Sequence, residues 1–204
     1  MKALIIVDVQ NDFLPNGALA VSEGDQIIPI VNNLMNKFDL VVATQDWHPK
    51  EHGSFASNHK NMNPGDQIEL FGLNQVLWPD HCIQHTYGAE ISKALNTSVI
   101  DHIVKKGTDI LIDSYSGFFD NGKKKETGLH DYLKSKGVDM VFVVGLATDY
   151  CVKFTALDAA ALGYRTFVVP DATRAVNLND GDYPKALEEM KAAGIGMINS
   201  QELL

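Results

Sequence analysis

The sequence is poor in cysteine, has no long apolar run and carries no excess of basic residues. Two cysteines, Cys82 and Cys151, in 204 residues cannot form a disulfide framework, so we expect a reduced protein in the cytoplasm. The apolar stretch at residues 3–7 is too short for the core of a signal peptide, and no segment approaches the roughly 18 apolar residues of a membrane span. A net charge of −9 argues against nucleic acid as a partner.

What remains is an alternation of apolar runs typical of strands with longer stretches typical of helices. Runs such as "ALIIV" and "MVFVV" lack polar alternation, which favours parallel strands covered on both faces by helices. No break in composition divides the chain, so we predict one α/β domain over residues 1–204. Strands are predicted at Lys2–Val9, Leu40–Thr44, His102–Lys105, Met140–Gly145, Thr166–Val169 and Gly196–Ile198. Helices are predicted at Gln26–Phe38, Glu90–Leu95, Thr127–Lys136, Asp149–Leu162 and Pro184–Ala193.

Residues 46–88 interrupt this alternation. They are rich in His, Asn, Gly and Pro and carry little periodic signal. A loop of this length inside a compact domain is usually functional, so we predict a binding insert there. A second, smaller irregular segment reads "DSYSGFFDNGKKK".

Polar residues are predicted at the carboxyl ends of the strands, which is where ligands bind in open α/β sheets. Asp8 comes at the end of the first strand, Asp46 and His48 follow the second, Lys106 ends the third and Cys151 follows the fourth. We expect any function to depend on these five side chains, because they meet at one edge of the sheet.

Cys151 is the candidate nucleophile. It follows a buried strand in "GLATDYC", where a helix is predicted to begin, although an inert buried cysteine is the alternative interpretation. A helix N-terminus and a nearby lysine both lower a thiol pKa, so we expect thiolate to be the major form of Cys151. The N–H groups of the same turn would serve as an oxyanion hole. Cys82 has no such setting and is interpreted as structural.

Asp8 is the candidate general base. A carboxylate at the end of a covered strand is unfavourable unless it is paired, and a raised pKa would suit it to accept the thiol proton. A turn-capping aspartate in "DVQNDF" is the alternative. Lys106 could reach Asp8 and the thiol, or lie exposed at the strand end. Because side chains alternate along a strand, only one of Lys105 and Lys106 can point inward.

The loop after the second strand offers ligands for a metal. Asp46 and His48 lie two residues apart on one side of an extended segment, and "WPDHC" returns His81 to them. One carboxylate and two imidazoles suit an open zinc, manganese or iron site, although the same residues also suit an ordinary polar loop. His52 reaches the site only if "HPKEH" turns back sharply.

Several long motifs make the chain resemble the nicotinamidases, also called pyrazinamidases, of the isochorismatase-like cysteine hydrolases. The matching blocks are "LIIVDVQNDFLPNGAL", "VVATQDWHPKEHGSFAS", "WPDHC", "VKKGTD", "DSYSGFF" and "GLATDYCVKFTALDA", which cover nearly the whole chain in order. The resemblance implies a three-layer α/β/α fold with a six-stranded parallel sheet in the order 3-2-1-4-5-6. It also implies hydrolysis of nicotinamide to nicotinate and ammonia through a cysteine thioester, with pyrazinamide as a further substrate, in NAD salvage.

The resemblance also implies roles for individual residues. The catalytic triad is expected to be Asp8, Lys106 and Cys151, and the metal ligands Asp46, His48 and His81. The metal is most often zinc, with Mn²⁺ or Fe²⁺ as alternatives, and the family leaves open whether His52 is a fourth ligand. A cis peptide is expected before Ala147, whose N–H would join that of Cys151 in the oxyanion hole. Phe13, Trp78 and Tyr115 are expected around a pyridine ring.

Three other functions compete with this interpretation. A papain-like hydrolase would need a histidine base, yet the histidines near strand ends belong to the metal cluster. An isochorismatase of the same fold needs neither this cysteine nor this metal set. A non-catalytic binding module has no reason to bring base, lysine and thiol together. The sequence leaves open whether the chain forms a homo-oligomer, and ammonia release from nicotinamide separates the three alternatives.

Overall fold

The computed structural model describes residues 1–204 as alternating strands and helices. Eight strands are formed by Lys2–Val7 (β1), Leu40–Asp46 (β2), Gln67–Leu70 (β3), Leu73–Val76 (β4), His102–Lys106 (β5), Met140–Leu146 (β6), Arg165–Arg174 (β7) and Gly196–Met197 (β8). Four α-helices are formed by Ile27–Met35 (α1), Leu129–Ser135 (α2), Lys153–Ala161 (α3) and Asp182–Ala192 (α4). No helix of the structure is both long and apolar enough to cross a membrane.

Six of the strands form one parallel sheet in the order β5-β2-β1-β6-β7-β8. Numbered within this sheet alone, the order is 3-2-1-4-5-6, so the expected topology is confirmed. Strand β1 lies at the centre, with Ile5 paired to Val42 of β2 and to Val143 of β6. The direction in which successive strands are added reverses between β1 and β6, and a crevice opens there at the carboxyl ends of the strands.

Strand β1 is apolar and buried from Ala3 to Val7 because helices cover both of its faces. Leu4 and Ile6 belong to a core layer that includes Val31 of α1. The alternate residues Ala3, Ile5 and Val7 belong to a second layer, which includes residues of α2 and α3. Successive side chains of a strand point to opposite faces, so a strand without polar alternation is what a three-layer fold requires.

Some predicted bounds differ from the structure. Strand β1 ends at Val7 instead of Val9, because Asp8 has a positive φ of 50° that breaks the extended chain. The predicted helix Glu90–Leu95 is wrong, since this segment lies along the chain after β1: Asn11 N–H donates to Glu90 O, and Ser92 N–H donates to Val9 O. The predicted helix Asp149–Leu162 begins with a π-helical turn, Thr148–Val152, which precedes α3.

The insert at residues 46–88 is more regular than its sequence indicates. Strands β3 and β4 form an antiparallel hairpin within it, with Leu70 paired to Leu73. Phe71 and Gly72 form the turn, both with positive φ. The ends of the insert are anchored by backbone bonds, for example from His48 N–H to Cys82 O at 3.0 Å. The insert therefore holds its two ends together beside the carboxyl edge of the sheet.

Candidate active site

Asp8 and Cys151 follow the two neighbouring strands at which the sheet order reverses. Asp8 comes directly after β1, and Cys151 lies in the turn after β6. The strands come close together here at Gly145, where a Cβ atom would lie 2.1 Å from Val7 O. Gly145 also has a φ of +111°, so only glycine fits this position without strain. The close approach brings the carboxylate and the thiol into one buried group.

Lys106 joins these two residues into a cluster. Its Nζ lies 2.9 Å from Asp8 Oδ2 and 3.4 Å from Cys151 Sγ, and it also contacts Asp46. Lys106 Nζ donates a further hydrogen bond of 2.9 Å to Ser114 O. Lys106 is 1% exposed, so its charge is held entirely by these partners. The ammonium therefore has two carboxylates and the thiol around it.

The neighbouring lysine points the other way. Lys105 is exposed, and its Nζ lies 3.7 Å from the ring centroid of Trp47. Strand alternation along β5 explains the contrast, since successive side chains face opposite sides of the sheet. Only Lys106 therefore reaches the cluster around Asp8.

Asp8 is oriented by Thr44 of β2. The Thr44 hydroxyl donates to Asp8 Oδ1 at 2.6 Å and accepts from Asp8 N–H at 3.2 Å. Asp8 Oδ2 accepts no aligned hydrogen bond, and an oxygen of this carboxylate lies within 4.8 Å of Cys151 Sγ. Burial raises the pKa of Asp8 to about 6, although the Lys106 ammonium opposes the shift. The group is therefore an ionised base at neutral pH that readily takes a proton.

The structure corrects the expected state of the nucleophile. Burial raises the pKa of the Cys151 thiol well above its ordinary value, Asp8 and Asp46 add to the shift, and Lys106 only partly opposes it. The expectation of a resting thiolate is therefore wrong, because the sequence does not show the burial and the two carboxylates around the sulfur. Cys151 holds its proton until a base removes it.

The turn that carries Cys151 is held by its own residues and by the loop after β7. Ala147 O accepts hydrogen bonds from Tyr150 N–H and Val152 N–H, at 3.2 and 3.0 Å. The Asp149 carboxylate accepts from the backbone N–H groups of Val176 and Asn177. The peptide bond before Ala147 is cis, as expected from the resemblance. The nucleophile therefore lies on a rigid turn.

Asp46, His48 and His81 converge at the end of β2. Their ligand atoms all lie within 4.8 Å of one another. Asp46 Oδ2 lies 3.5 Å from His48 Nε2 and 3.9 Å from His81 Nε2. His48 Nδ1 donates to Gly107 O, and His81 Nδ1 donates to Pro79 O, both at 2.8 Å. Because these carbonyls only accept, Nδ1 carries a proton in both rings, so the lone pair of each neutral ring is on Nε2, which is the arrangement that metal-ligating histidines have.

His52 also reaches this group. Its ring centroid lies 4.4 Å from that of His48, and its Nδ1 bonds to Ser54 Oγ at 2.7 Å. Its Nε2 is buried and has no hydrogen-bond partner. Burial lowers the pKa of His52 to about 4, so the ring is neutral at pH 7. The "HPKEH" segment does turn back, as a further ligand would require.

A cleft opens onto Cys151 and Asp46. Its empty volume is about 360 Å³ out to its open mouth, within the range of small-molecule sites. The three predicted aromatic residues, Phe13, Trp78 and Tyr115, all line it. Trp78 Nε1–H donates to the Tyr115 hydroxyl at 3.1 Å. The cleft is thus a largely apolar, aromatic-lined site that also presents the Cys151 thiol and the carboxylates of Asp46 and Asp113.

Sequence reasoning missed several residues of the site. Thr44 orients the base, and Gln10 bonds to the backbone of Asp46. Asp113 lines the cleft, yet the "DSYSGFF" motif only marked the segment in which it lies. The signal that could have revealed such residues is a polar side chain inside an otherwise apolar strand, as Thr44 is. Three further residues that the sequence did not single out, Leu19, Tyr150 and Val176, also line the cleft.

Comparison with known proteins agrees with the fold and identifies the family. A family model described as the isochorismatase domain matches residues 2–202. The nicotinamidase of Escherichia coli (strain K12) is 48% identical over 197 residues, which cover 95% of this chain and 92% of that protein.

Two solved structures give the same result. A nicotinamidase/pyrazinamidase of Acinetobacter baumanii superposes with a TM-score of 0.97 at 48% identity, covering 100% of this chain and 98% of that chain. The pyrazinamidase of Pyrococcus horikoshii, solved in complex with zinc, superposes with a TM-score of 0.79 at 40% identity, covering 97% and 98%. The chain therefore belongs to the isochorismatase domain family.

Proposed function

We propose that the chain hydrolyses nicotinamide to nicotinate and ammonia, and pyrazinamide to pyrazinoate, through a thioester on Cys151. The observation that carries the proposal is the contact of one buried lysine with both a carboxylate and a thiol at the base of an aromatic-lined cleft. Relatives at 48% identity that bear the names nicotinamidase and nicotinamidase/pyrazinamidase support the same activity. The reaction places the enzyme in NAD salvage.

In the first half of the reaction, Asp8 removes the thiol proton as Cys151 attacks the carboxamide carbon. The C–S bond forms, and the carbonyl oxygen takes up the negative charge. The pKa of about 6 for Asp8 suits this role, because the base is ionised at pH 7 and still binds a proton readily. Asp8 then gives this proton to the amide nitrogen, the C–N bond breaks, and ammonia leaves the thioester.

In the second half, water attacks the thioester carbon. Asp8 accepts a proton from this water, the C–S bond breaks, and Asp8 returns the proton to the sulfur, while the product leaves as nicotinic acid and ionises to nicotinate in solvent. The same carboxylate therefore serves twice as a base and twice as an acid. Thr44 holds Asp8 Oδ1 throughout, and the proton exchanges at Oδ2, which lies 2.9 Å from the Lys106 ammonium.

The oxyanion is stabilised by the backbone N–H groups of Ala147 and Cys151. Donors fixed on a rigid turn need no reorganisation when the negative charge develops. Lys106 contributes in a different way, because its ammonium stabilises the ionised forms of both Asp8 and the Cys151 sulfur. Its contacts of 2.9 Å and 3.4 Å to these two groups support this role.

Asp46, His48 and His81 hold one divalent metal, with zinc as the first choice and Mn²⁺ or Fe²⁺ as alternatives. Two free Nε2 atoms beside one carboxylate fit such an ion. His52, with its unpartnered Nε2, is a fourth ligand or binds through water. When bound there, the metal would supply a Lewis acid for the pyridine ring nitrogen of the substrate. A zinc complex of a relative at 40% identity supports the choice of metal.

The aromatic walls of the cleft select the substrate. Phe13, Trp78 and Tyr115 pack against a flat pyridine ring, so that its carboxamide lies against Cys151.

Residues 1–204 act as a single hydrolase domain, with residues 46–88 as its metal-binding insert. The enzyme acts in the cytoplasm on a small-molecule substrate, and neither nucleic acid nor a membrane is a partner.

The decisive test measures ammonia release from nicotinamide, pyrazinamide and benzamide, and pyruvate release from isochorismate. We expect turnover of the two nitrogen heterocycles and little of benzamide, which has no ring nitrogen for the metal. Metal content is measured on the same preparation. Turnover of isochorismate with no ammonia release from nicotinamide would contradict the proposal.

A further inference from the structure

Asp113 is a buried carboxylate that the reaction above does not use. It is 3% exposed and lines the same cleft as Asp46 and His81. Its backbone carbonyl accepts from Asn121 N–H, and its Oδ1 accepts from Ser114 N–H, both at 2.7 Å. The side chain is therefore held in place at the wall of the site.

No cationic side chain pairs with Asp113. Every lysine and arginine ion pair of the protein involves another carboxylate. Its Oδ2 accepts only a long hydrogen bond of 3.4 Å from Gln75 Nε2. A buried carboxylate is strongly unfavourable unless it is paired or coordinates a metal. Asp113 thus needs a positive charge that no lysine or arginine provides, and its ionisable neighbours are the histidines His48 and His52.

The surroundings of Asp113 indicate where that charge lies. Ligand atoms of Asp113, His48 and His52 lie within 4.8 Å of one another. The Nε2 of His48 is also the atom near Asp46 Oδ2, and one nitrogen lone pair can serve only one ion. The buried, unpartnered Nε2 of His52 belongs to the same group. The ligand atoms of Asp46, His48 and His81 and those of Asp113, His48 and His52 therefore surround one ion.

The charge balance of the buried site also calls for one divalent cation. The buried carboxylates around the site are Asp8, Asp46 and Asp113, and the one ammonium is that of Lys106. Three negative charges against one positive charge leave two negative charges inside the protein. A divalent cation balances this excess. Without Asp113, the same cation would leave the buried site with a net positive charge.

We propose that Asp113 is the second carboxylate of the metal centre, acting on the ion held by Asp46, His48 and His81 either directly or through one water ligand. The inference rests on the proposed metal site and extends it by a residue whose contribution is charge and metal affinity. Asp113 binds the cation from the cleft wall, next to the place where the substrate ring lies.

The test compares zinc binding by the wild type, Asp113→Asn and Asp109→Asn, each stripped of metal and titrated against a chromophoric chelator. Asparagine keeps the acceptor for Ser114 N–H and removes only the charge. Asp109 lies four residues earlier in the same loop and is the matched control, since its carboxylate serves only Leu111 N–H. We expect Asp113→Asn to weaken zinc binding about 10- to 100-fold and Asp109→Asn to leave it unchanged.

Melting temperatures distinguish a metal role from a purely structural one. Without metal, Asp113→Asn should melt at or above the wild-type temperature, because an unpaired buried charge has gone. With saturating zinc it should melt below the wild type. Equal zinc affinity in all three proteins, or a metal-free Asp113→Asn that fails to fold, overturns this inference and leaves the proposed metal site intact. A wild type that takes up no zinc overturns both, whereas ammonia release tests the thioester separately.

Discussion

The side-chain amide of Gln10 bonds to both backbone groups of Asp46. Its Nε2 donates to Asp46 O, and its Oε1 accepts from Asp46 N–H, both at 2.8 Å. Strand β1 has ended before this point, because Asp8 turns the chain out of the extended conformation. Gln10 thus continues the pairing to β2 with a side chain and fixes the backbone of a proposed metal ligand.

Replacing Gln10 should therefore impair the metal site. Gln10→Met keeps the volume but leaves both backbone groups of Asp46 without partners inside the protein. We expect a loss of roughly 1–3 kcal/mol in the free energy of unfolding for each buried group left unsatisfied, together with weaker zinc binding. Denaturant unfolding and zinc titration measure the two effects. Asn11→Ala, which removes a bond on the exposed side of the same turn, is the control.

Cys151→Ala should abolish turnover and preserve the fold. The thioester needs the sulfur, whereas the side chain lies at the base of the cleft and its removal changes little of the packing. Wild-type enzyme quenched in acid during turnover should carry a nicotinoyl adduct by mass spectrometry, and Cys82→Ala should retain that adduct. Substantial ammonia release by Cys151→Ala would contradict the thioester mechanism.

The rate should depend on the ionisation of Asp8. Because the base must be unprotonated and its pKa is about 6, we expect kcat/KM to be flat above this pH and to fall about tenfold for each unit below it. Asp8→Asn keeps the shape of the side chain but accepts no proton, so the rate should fall by at least ~10²-fold. If the Asp8→Asn variant still shows the full fall of kcat/KM at acidic pH, the ionisation belongs to another group.

Two adjacent lysines should behave differently. Lys106→Ala leaves Asp8 and Asp46 buried without their ammonium, so we expect severe loss of both activity and stability. Lys105→Ala removes only a contact of an exposed lysine with the Trp47 ring, and its effect should be mild. Steady-state kinetics and thermal melting of both variants provide the comparison. Similar losses in the two variants would contradict the assignment of Lys106.

Removing a metal ligand should affect the substrate complex more than the fold. We expect His48→Ala and His81→Ala to lose bound zinc, with a higher KM for nicotinamide. His85→Ala, which changes a histidine outside the ligand cluster, should retain both. Elemental analysis and kinetics on the same samples give the result. Unchanged activity after complete chelation would contradict the metal half of the proposal.

A substitution at Gly107 tests the metal site without removing any of its ligands. A Cβ atom at this position would lie 2.3 Å from His48 Cε1, and the residue has a φ of +63°. Gly107→Ala should therefore displace the His48 ring without altering any ligand atom. We expect reduced zinc affinity in this variant and wild-type zinc affinity in Gly163→Ala, a glycine that also has positive φ but open space around it.

The sheet and the residues around its crevice could be predicted from the sequence because their signals are local. Apolar runs without alternation require a strand buried on both faces, and the polar residue that ends such a run lies at the edge of the sheet. Asp8, Lys106 and Cys151 could therefore be assigned to one edge before any distance was known. Long motifs then favoured one family.

The properties that only the tertiary structure decided depend on contacts between segments that are far apart in the sequence. The segment Glu90–Leu95 has helical composition, yet Glu90 O and Ser92 N–H bond to the chain after β1 and no helix forms. Cys151 lies in a helical turn beside a lysine, yet burial and two carboxylates keep its thiol protonated. The unpaired charge of Asp113 could not be recognised until its neighbours were known. Hydrogen bonding and ionisation follow from the surroundings of a group, and the chain must fold before those surroundings exist.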